Sequence, residues 1–166
     1  KAECERTVAR AFGQQALLIR PGLIVGPNDP TGRFSYWAWR ICAGGRVLAP
    51  GSPETPIQFI DARDLAALIM RLIMMRASGA FNATGPNEGA TFGELLDTCR
   101  WISGEDVEIE WVDEKFLERE GVQPWTELPL WIPTHDPQTR GFHMVDTTRA
   151  RRNGLRTRPM AVTVSD

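Results

Sequence analysis

The chain has 166 residues, of which 42% are apolar, and a net charge of −2 at neutral pH with a pI near 5.8. That apolar share is enough to build a buried core, and the near-balanced charge gives no global pull toward nucleic acid or an anionic membrane. No apolar run approaches the roughly 18 residues of a membrane span, so no membrane partner is expected, and no secretory signal is visible. The cysteines, Cys4, Cys42 and Cys99, are odd in number and set among apolar neighbours. They read as reduced core thiols in a cytoplasmic protein, not as a disulfide frame.

Taken in chain order, residues 1–12 place Cys4, Val8, Ala11 and Phe12 on one helical face, and Gly13 stops that helix. Ala16–Ile19 reads as a buried strand that must end or turn at Arg20-Pro21, because Pro21 has no N–H and a fixed φ. Residues 27–32 form a turn-rich loop, followed by a helix with Phe34, Trp37, Ile41 and Cys42 inward and Gly44-Gly45 as its stop. Arg46–Ala49 is a short strand, and residues 50–56 form a Pro/Gly loop. Ile57–Ile60 is strand-like. Asp61 and Asp64 then sit at the start of a helix carrying Leu65, Leu68, Ile69, Leu72 and Ile73, where acidic groups meet the positive pole of the helix dipole.

Residues 79–84 are a second parallel strand, closed by Gly85-Pro86. Thr91-Phe-Gly-Glu94 fits a capping box for a helix with Leu95, Leu96, Cys99 and Ile102 inward. Val107–Val112 alternates apolar and acidic residues, as a strand with one exposed face does, and Asp113 can cap a short helix over 114–120. Residues 121–145 lack periodicity and read as a long loop. A helix over 146–153 stops at Gly154, and residues 160–166 begin another. Strand and helix alternate, so the fold class is α/β.

Four stretches carry a family resemblance. Residues 15–27, with Arg20-Pro21-Gly-Leu-Ile-Val-Gly-Pro27, resemble the "RPxxVYGP" segment of the extended short-chain dehydrogenases/reductases, the NAD-dependent epimerase/dehydratase family. Lys1-Ala-Glu-Cys-Glu5 resembles the helix that begins with the lysine of the family's Tyr-x-x-x-Lys pair. Residues 58–66 resemble its "DFxxVxDLA" stretch, and Phe81-Asn-Ala-Thr-Gly85 its "xxNxG" strand end. Ordered matches over residues 1–103 weigh more than any lone motif.

The resemblance implies the C-terminal half of such a protein: the far strands of a Rossmann-like doubly wound parallel sheet plus a small mixed α/β substrate lobe. Residues 1–26 and 57–85 belong to the sheet, and 27–56 and 86–166 mainly to the lobe. The implied cofactor is NAD or NADP, with the Gly-rich pyrophosphate turn and the catalytic tyrosine outside these residues. Lys1 is the candidate catalytic residue, since a nearby cation favours a phenolate. Lys1, Pro21, Gly22, Leu23 and Ile24 are the implied cofactor-side residues. A plain exposed lysine paired with Glu5 is the simpler account of Lys1.

Substrate-side candidates are Asn28, Arg33, Trp125 and Trp131, the tryptophans because they fall in the irregular stretch over the cleft. The other tryptophans, Trp37, Trp39, Trp101 and Trp111, read as packing. Ile57-Gln58 stands where nucleotide-sugar epimerases commonly carry an arginine, which favours a small carbonyl, alcohol or sugar-like substrate over a nucleotide diphospho-sugar. His135 and His143 lack metal-ligand spacing, so no metal is assigned.

The implied function is an NAD(P)-dependent oxidoreductase or epimerase, with this chain inactive alone and the full-length parent able to form a homodimer. The alternative is a non-catalytic dinucleotide-sensing or RNA-binding relative on the same fold, for which the arginines at 149, 151, 152, 156 and 158 would supply phosphate contacts. That run has little aromatic interleaving, and a solvated helix face is the simpler account.

Overall fold

The computed structural model describes all residues from Lys1 to Asp166. Helix α1 (Ala2–Phe12) leads through a 3-10 turn to β1 (Leu17–Pro21) and β2 (Leu23–Val25). Then come α2 (Ser35–Cys42), β3 (Gly45–Pro50), β4 (Phe59–Asp61), α3 (Ala62–Met74) and β5 (Gly79–Ala83). The chain continues with α4 (Phe92–Ser103), β6 (Val107–Val112), α5 (Glu114–Arg119), α6 (Thr148–Arg152) and α7 (Met160–Ser165). No helix is long and apolar enough to cross a membrane.

All strand pairings are parallel: β1 with β5, β2 with β4, and β3 with β6. The segment from 17 to 25 changes partner at Gly22. Up to Pro21 it lies beside β5, with Pro21 opposite Ala83, and from Leu23 it lies beside β4. The strand therefore runs through Pro21 rather than ending before it. Peptide N–H groups alternate sides along a strand, and Gly22 N–H donates to Ala83 O at 3.1 Å. The N–H that Pro21 lacks would have pointed the other way, so the β5 pairing loses nothing.

Local signals explain the helix starts. Asp61 caps α3 by accepting from the Arg63 N–H, and Asp113 caps α5 by accepting from Phe116 N–H. Thr91 and Glu94 form the reciprocal capping box of α4.

Two apolar clusters result. The larger holds 18 buried residues, centred on Trp37, Ile41, Phe92, Leu95 and Leu96. The smaller holds 8, including Ile60, Leu68, Leu72 and Phe81.

Several sequence expectations are corrected here. Helix α1 has the predicted apolar face but buries no residue fully; Glu5, bonded to Arg20, and Val8 are only half-buried. Cys4 on that helix is exposed, as is Cys42 at the end of α2, and only Cys99 is a core thiol, its pKa pushed up by burial to about 12. Trp39 and Trp101 are 72% and 77% exposed, so they do not serve as core packing. Periodicity identifies the apolar face of a helix but not whether a neighbour covers it.

Candidate functional site

Strands β1 and β5 end side by side, and a cavity of about 590 Å³ opens beyond their carboxyl ends. In parallel α/β sheets this is where ligands bind. Pro21, Gly22, Leu23 and Ile24 form one lip of it and Thr84 lies on its floor. Lys1, at the head of α1, is the only charged residue on the lining. Trp125, Phe142 and Val145 make the facing wall, with Gln58 between wall and strand.

Lys1 is not paired with Glu5. Glu5 instead takes both ends of the Arg20 guanidinium, and that arginine holds its carboxyl below the usual range. The Lys1 ammonium is thus left to the cavity, in no ion pair. The floor has its own unmatched group. Thr84 is buried at 1% exposure, and its hydroxyl has no hydrogen-bond partner. A Cβ added at Gly22 would run into that hydroxyl, so glycine is what allows the strand to pass so close.

The remaining sequence candidates are placed differently. Arg33 does not line the cavity; its guanidinium stacks 5.4 Å from the centroid of the Trp125 ring and stiffens the wall from outside. Asn28, in a left-handed conformation with φ of 66°, borders a separate depression of about 290 Å³ formed by residues 24–31 and Ala62. Trp131 is a correction. It is buried in the larger core and its indole N–H donates to Glu114 at 3.0 Å, which removes it from any substrate cleft. A buried indole goes where its N–H finds an acceptor, and the Glu114 carboxylate supplies one. His135 sits between Glu114 and Glu118, at 3.4 and 3.2 Å, away from the cavity.

Sequence reading missed Thr31, Gln58, Thr84, Phe142 and Val145 as lining residues. Two of them carried a signal. Gln58 opens the third family-like stretch, and Thr84 lies in the fourth, just past the carboxyl end of β5, where crevices form. Phe142 and Val145 lie in an aperiodic loop whose path no local pattern specifies.

The C-terminal arginines are mostly committed inside the molecule. Arg149 donates to Ser78 O at 2.7 Å and lies 4.3 Å from the Phe81 ring centroid, and Arg151 donates to Asn87 O at 3.0 Å. Arg156 donates to Leu155 O at 2.9 Å, and Arg158 forks onto Asp64 at 2.8 and 3.0 Å. Arg149 and Arg158 tie the C-terminal segment to the start of β5 and to α3, while Arg149, Arg151, Arg152 and Arg156 stay exposed, as a solvated face requires.

No family model matches the chain, and no curated protein matches it. Solved structures do. The chain superposes on UDP-glucose 4-epimerase from Thermus thermophilus in complex with NAD with a TM-score of 0.62 at 16% identity, over 99% of this chain and 50% of that one. It matches UDP-N-acetylglucosamine 4-epimerase from Bacillus cereus with a TM-score of 0.60 at 14% identity, over 98% and 48%. RMD from Pseudomonas aeruginosa complexed with NADPH gives 0.59 at 14% identity, over 96% and 48%. The chain has the Rossmann-like fold of the extended short-chain dehydrogenases/reductases, and it spans about half the length of these solved chains.

Proposed function

We propose that this chain is the part of an NAD(P)-dependent oxidoreductase or epimerase that receives the nicotinamide end of the cofactor and a small carbonyl, alcohol or sugar-like substrate. The observation that carries the reading is the cavity at the ends of β1 and β5, where Lys1 meets the backbone of Pro21–Ile24. The residues suit a nicotinamide riboside. An unpaired ammonium is available for ribose hydroxyls, and a glycine lets the strand pass close over Thr84.

When bound, NAD(P) supplies or accepts a hydride. The chain's own residues bind and orient: Lys1 holds ribose hydroxyls and favours the phenolate of a tyrosine brought from outside these residues. The chain's single tyrosine, Tyr36, borders a different depression with Arg40 and Leu48 and cannot serve. Trp125 and Phe142 exclude water on the substrate side. No arginine lines the cavity, and in this reading the Lys1 ammonium is taken by the ribose, so no guanidinium fork is left for a diphosphate and an uncharged substrate is favoured.

Reduced nicotinamide mononucleotide tests this directly, since it lacks the half of the cofactor these residues do not reach. The chain is expected to bind it, with about tenfold loss in Lys1→Met, the scale of one charge-assisted hydrogen bond. No binding at millimolar concentration would overturn the reading. Turnover of NADH or NADPH with small ketones is expected only when the chain is joined to its natural preceding sequence.

A further inference from the structure

The wall facing Lys1 is held by an unusual set of bonds across long sequence distances. Gln58 is bonded to residues 143 and 145 three ways. Its backbone N–H donates to His143 Nδ1 at 3.0 Å. Its side-chain amide donates to Val145 O at 3.1 Å and accepts from Val145 N–H at 2.9 Å. On the other edge of the imidazole, Nε2 lies 3.1 Å from Leu130 O. These partners fix the ring. An amide N–H can only donate, so Nδ1 carries the lone pair, and a carbonyl can only accept, so Nε2 carries the proton. His143 is therefore neutral, in one tautomer, and buried.

The aromatic wall leans on that ring. Phe142 packs edge-on against Trp125 with centroids 5.2 Å apart, and it packs edge-on against His143 at 5.0 Å. We propose that Gln58 and His143 form a clasp that holds the Trp125–Phe142 wall over the cavity, and that the clasp opens when the His143 ring takes up a proton. Taken as positioning residues for substrate, they rest on the cavity being the substrate site proposed above.

Protonation sets a second N–H against the Gln58 N–H, donor facing donor, and leaves a buried cation. No carboxylate compensates it. The groups packed on the ring are backbone from Gln58 and Leu130 and the rings of Trp125 and Phe142. The charges nearby in the wall and cavity are the cations Arg33 and Lys1. Asp146, the nearest carboxylate in sequence, is tied to Thr148 N–H at 2.9 Å. Burial keeps the His143 pKa below its ordinary value, with the Leu130 carbonyl pulling the other way. A group with a lowered folded pKa favours the closed form above its free value, near 6.5, and weakens it progressively as pH falls below that.

Amide hydrogen exchange on the full chain, corrected for intrinsic rates, reads the clasp without any ligand. Between pH 7.5 and 5.5, exchange at 142–145 is expected to rise about tenfold while β3 holds steady, the scale set by one to two lost hydrogen bonds. In His143→Gln the amide keeps an acceptor and a donor but does not titrate, and exchange at 142–145 is expected to stay flat across that range. Gln58→Ala is expected to exchange fast at both pH values.

A flat wild-type profile, or a His143→Gln profile that still rises, overturns the proposal. So does a nitrogen-15 spectrum showing the proton on Nδ1 at neutral pH, a measurement that needs no variant. A chain with this exchange profile that fails to bind reduced nicotinamide mononucleotide would keep the clasp and sink the cofactor reading.

Discussion

The two apolar cores are built to different standards. The larger is closed on every side: α2, α4, β3, β6 and the segment 125–131 surround Trp37, which is fully buried. The Trp37 ring meets Phe92 edge-on at 4.8 Å, and its indole N–H donates to Pro129 O at 2.8 Å. The smaller core is thinner, with 8 buried residues from α3, β4, β5 and the α6 segment, Ala150 and Leu155 among them. Helix α3 buries Leu65, Leu68 and Leu72 against β4 and β5, while Met70, Ile73 and Met74 face outward, and α1 buries no residue fully. Both regions carry apolar patterning on their helices. What differs is whether a second layer is present to cover it, and stability follows the covered area.

The sharpest way to break that comparison is to empty each core in turn. Trp37→Ala removes the centre of the closed core and a satisfied indole bond, and is expected to cost about 3–5 kcal/mol. Leu72→Ala, in a core with room to relax and fewer neighbours, is expected to cost about 2–3 kcal/mol. Urea unfolding measures both. Equal losses would mean that the two cores are packed alike after all.

The next effect concerns the joint between them. Asp61 is 2% exposed and sits where β4 turns into α3. Its carboxylate takes Arg63 Nε and Nη2 at 2.9 and 2.7 Å, accepts from Thr163 of α7 at 3.1 Å, and lies 3.5 Å from Arg158. The Arg63 bonds first, then the backbone cap and Thr163, hold its pKa down to about 2. The folded value lies below the ordinary 3.8, so this stabilisation is complete above pH 4 and is lost as pH falls from 4 toward 2.

Asp61→Asn is expected to lose about 2 kcal/mol at pH 7, and the wild type to lose a similar amount on acidification across that window. Urea midpoints measured at successive pH values check it. If the variant falls as steeply as the wild type between pH 4 and 2, another carboxylate carries the acid sensitivity.

Much of this frame was legible from local chemistry. The Thr91–Glu94 capping box, the Asp113 cap and the α/β alternation are short-range features, written in neighbouring residues. The cavity lip was legible through the family-like segment Arg20–Pro27, which singled out Pro21–Ile24, although the strand runs through Pro21. The opposite wall was not. His143 and Val145 are placed by bonds to Gln58, some 85 residues away in sequence, Phe142 by packing on His143 and Trp125, and an aperiodic loop carries no period to read. Trp131 failed for a related reason. Its position depends on a single acceptor, Glu114, that only the folded chain brings within reach. Cys4 and Trp101 failed because exposure is a property of neighbours, not of a helical face.

The smallest expected effect sharpens the comparison from the open side. If the outer face of α3 touches nothing, then replacing Met70, Ile73 and Met74 together with glutamine removes no packing. Glutamine is nearly as good a helix former as methionine, so the backbone loses little. The unfolding free energy is expected to change by no more than about 0.5 kcal/mol per site, the range of substitutions at exposed positions. Association should change more than stability, because a contiguous apolar strip on one helix is a sticky surface.

Sedimentation at high protein concentration is therefore expected to show less self-association in the triple variant, at an almost unaltered melting temperature. A fall of several degrees would show that these side chains are buried in solution against something, a second copy of the chain being the available partner. The open face of the smaller core would then be an interface, and the two cores would differ in what covers them rather than in whether they are covered.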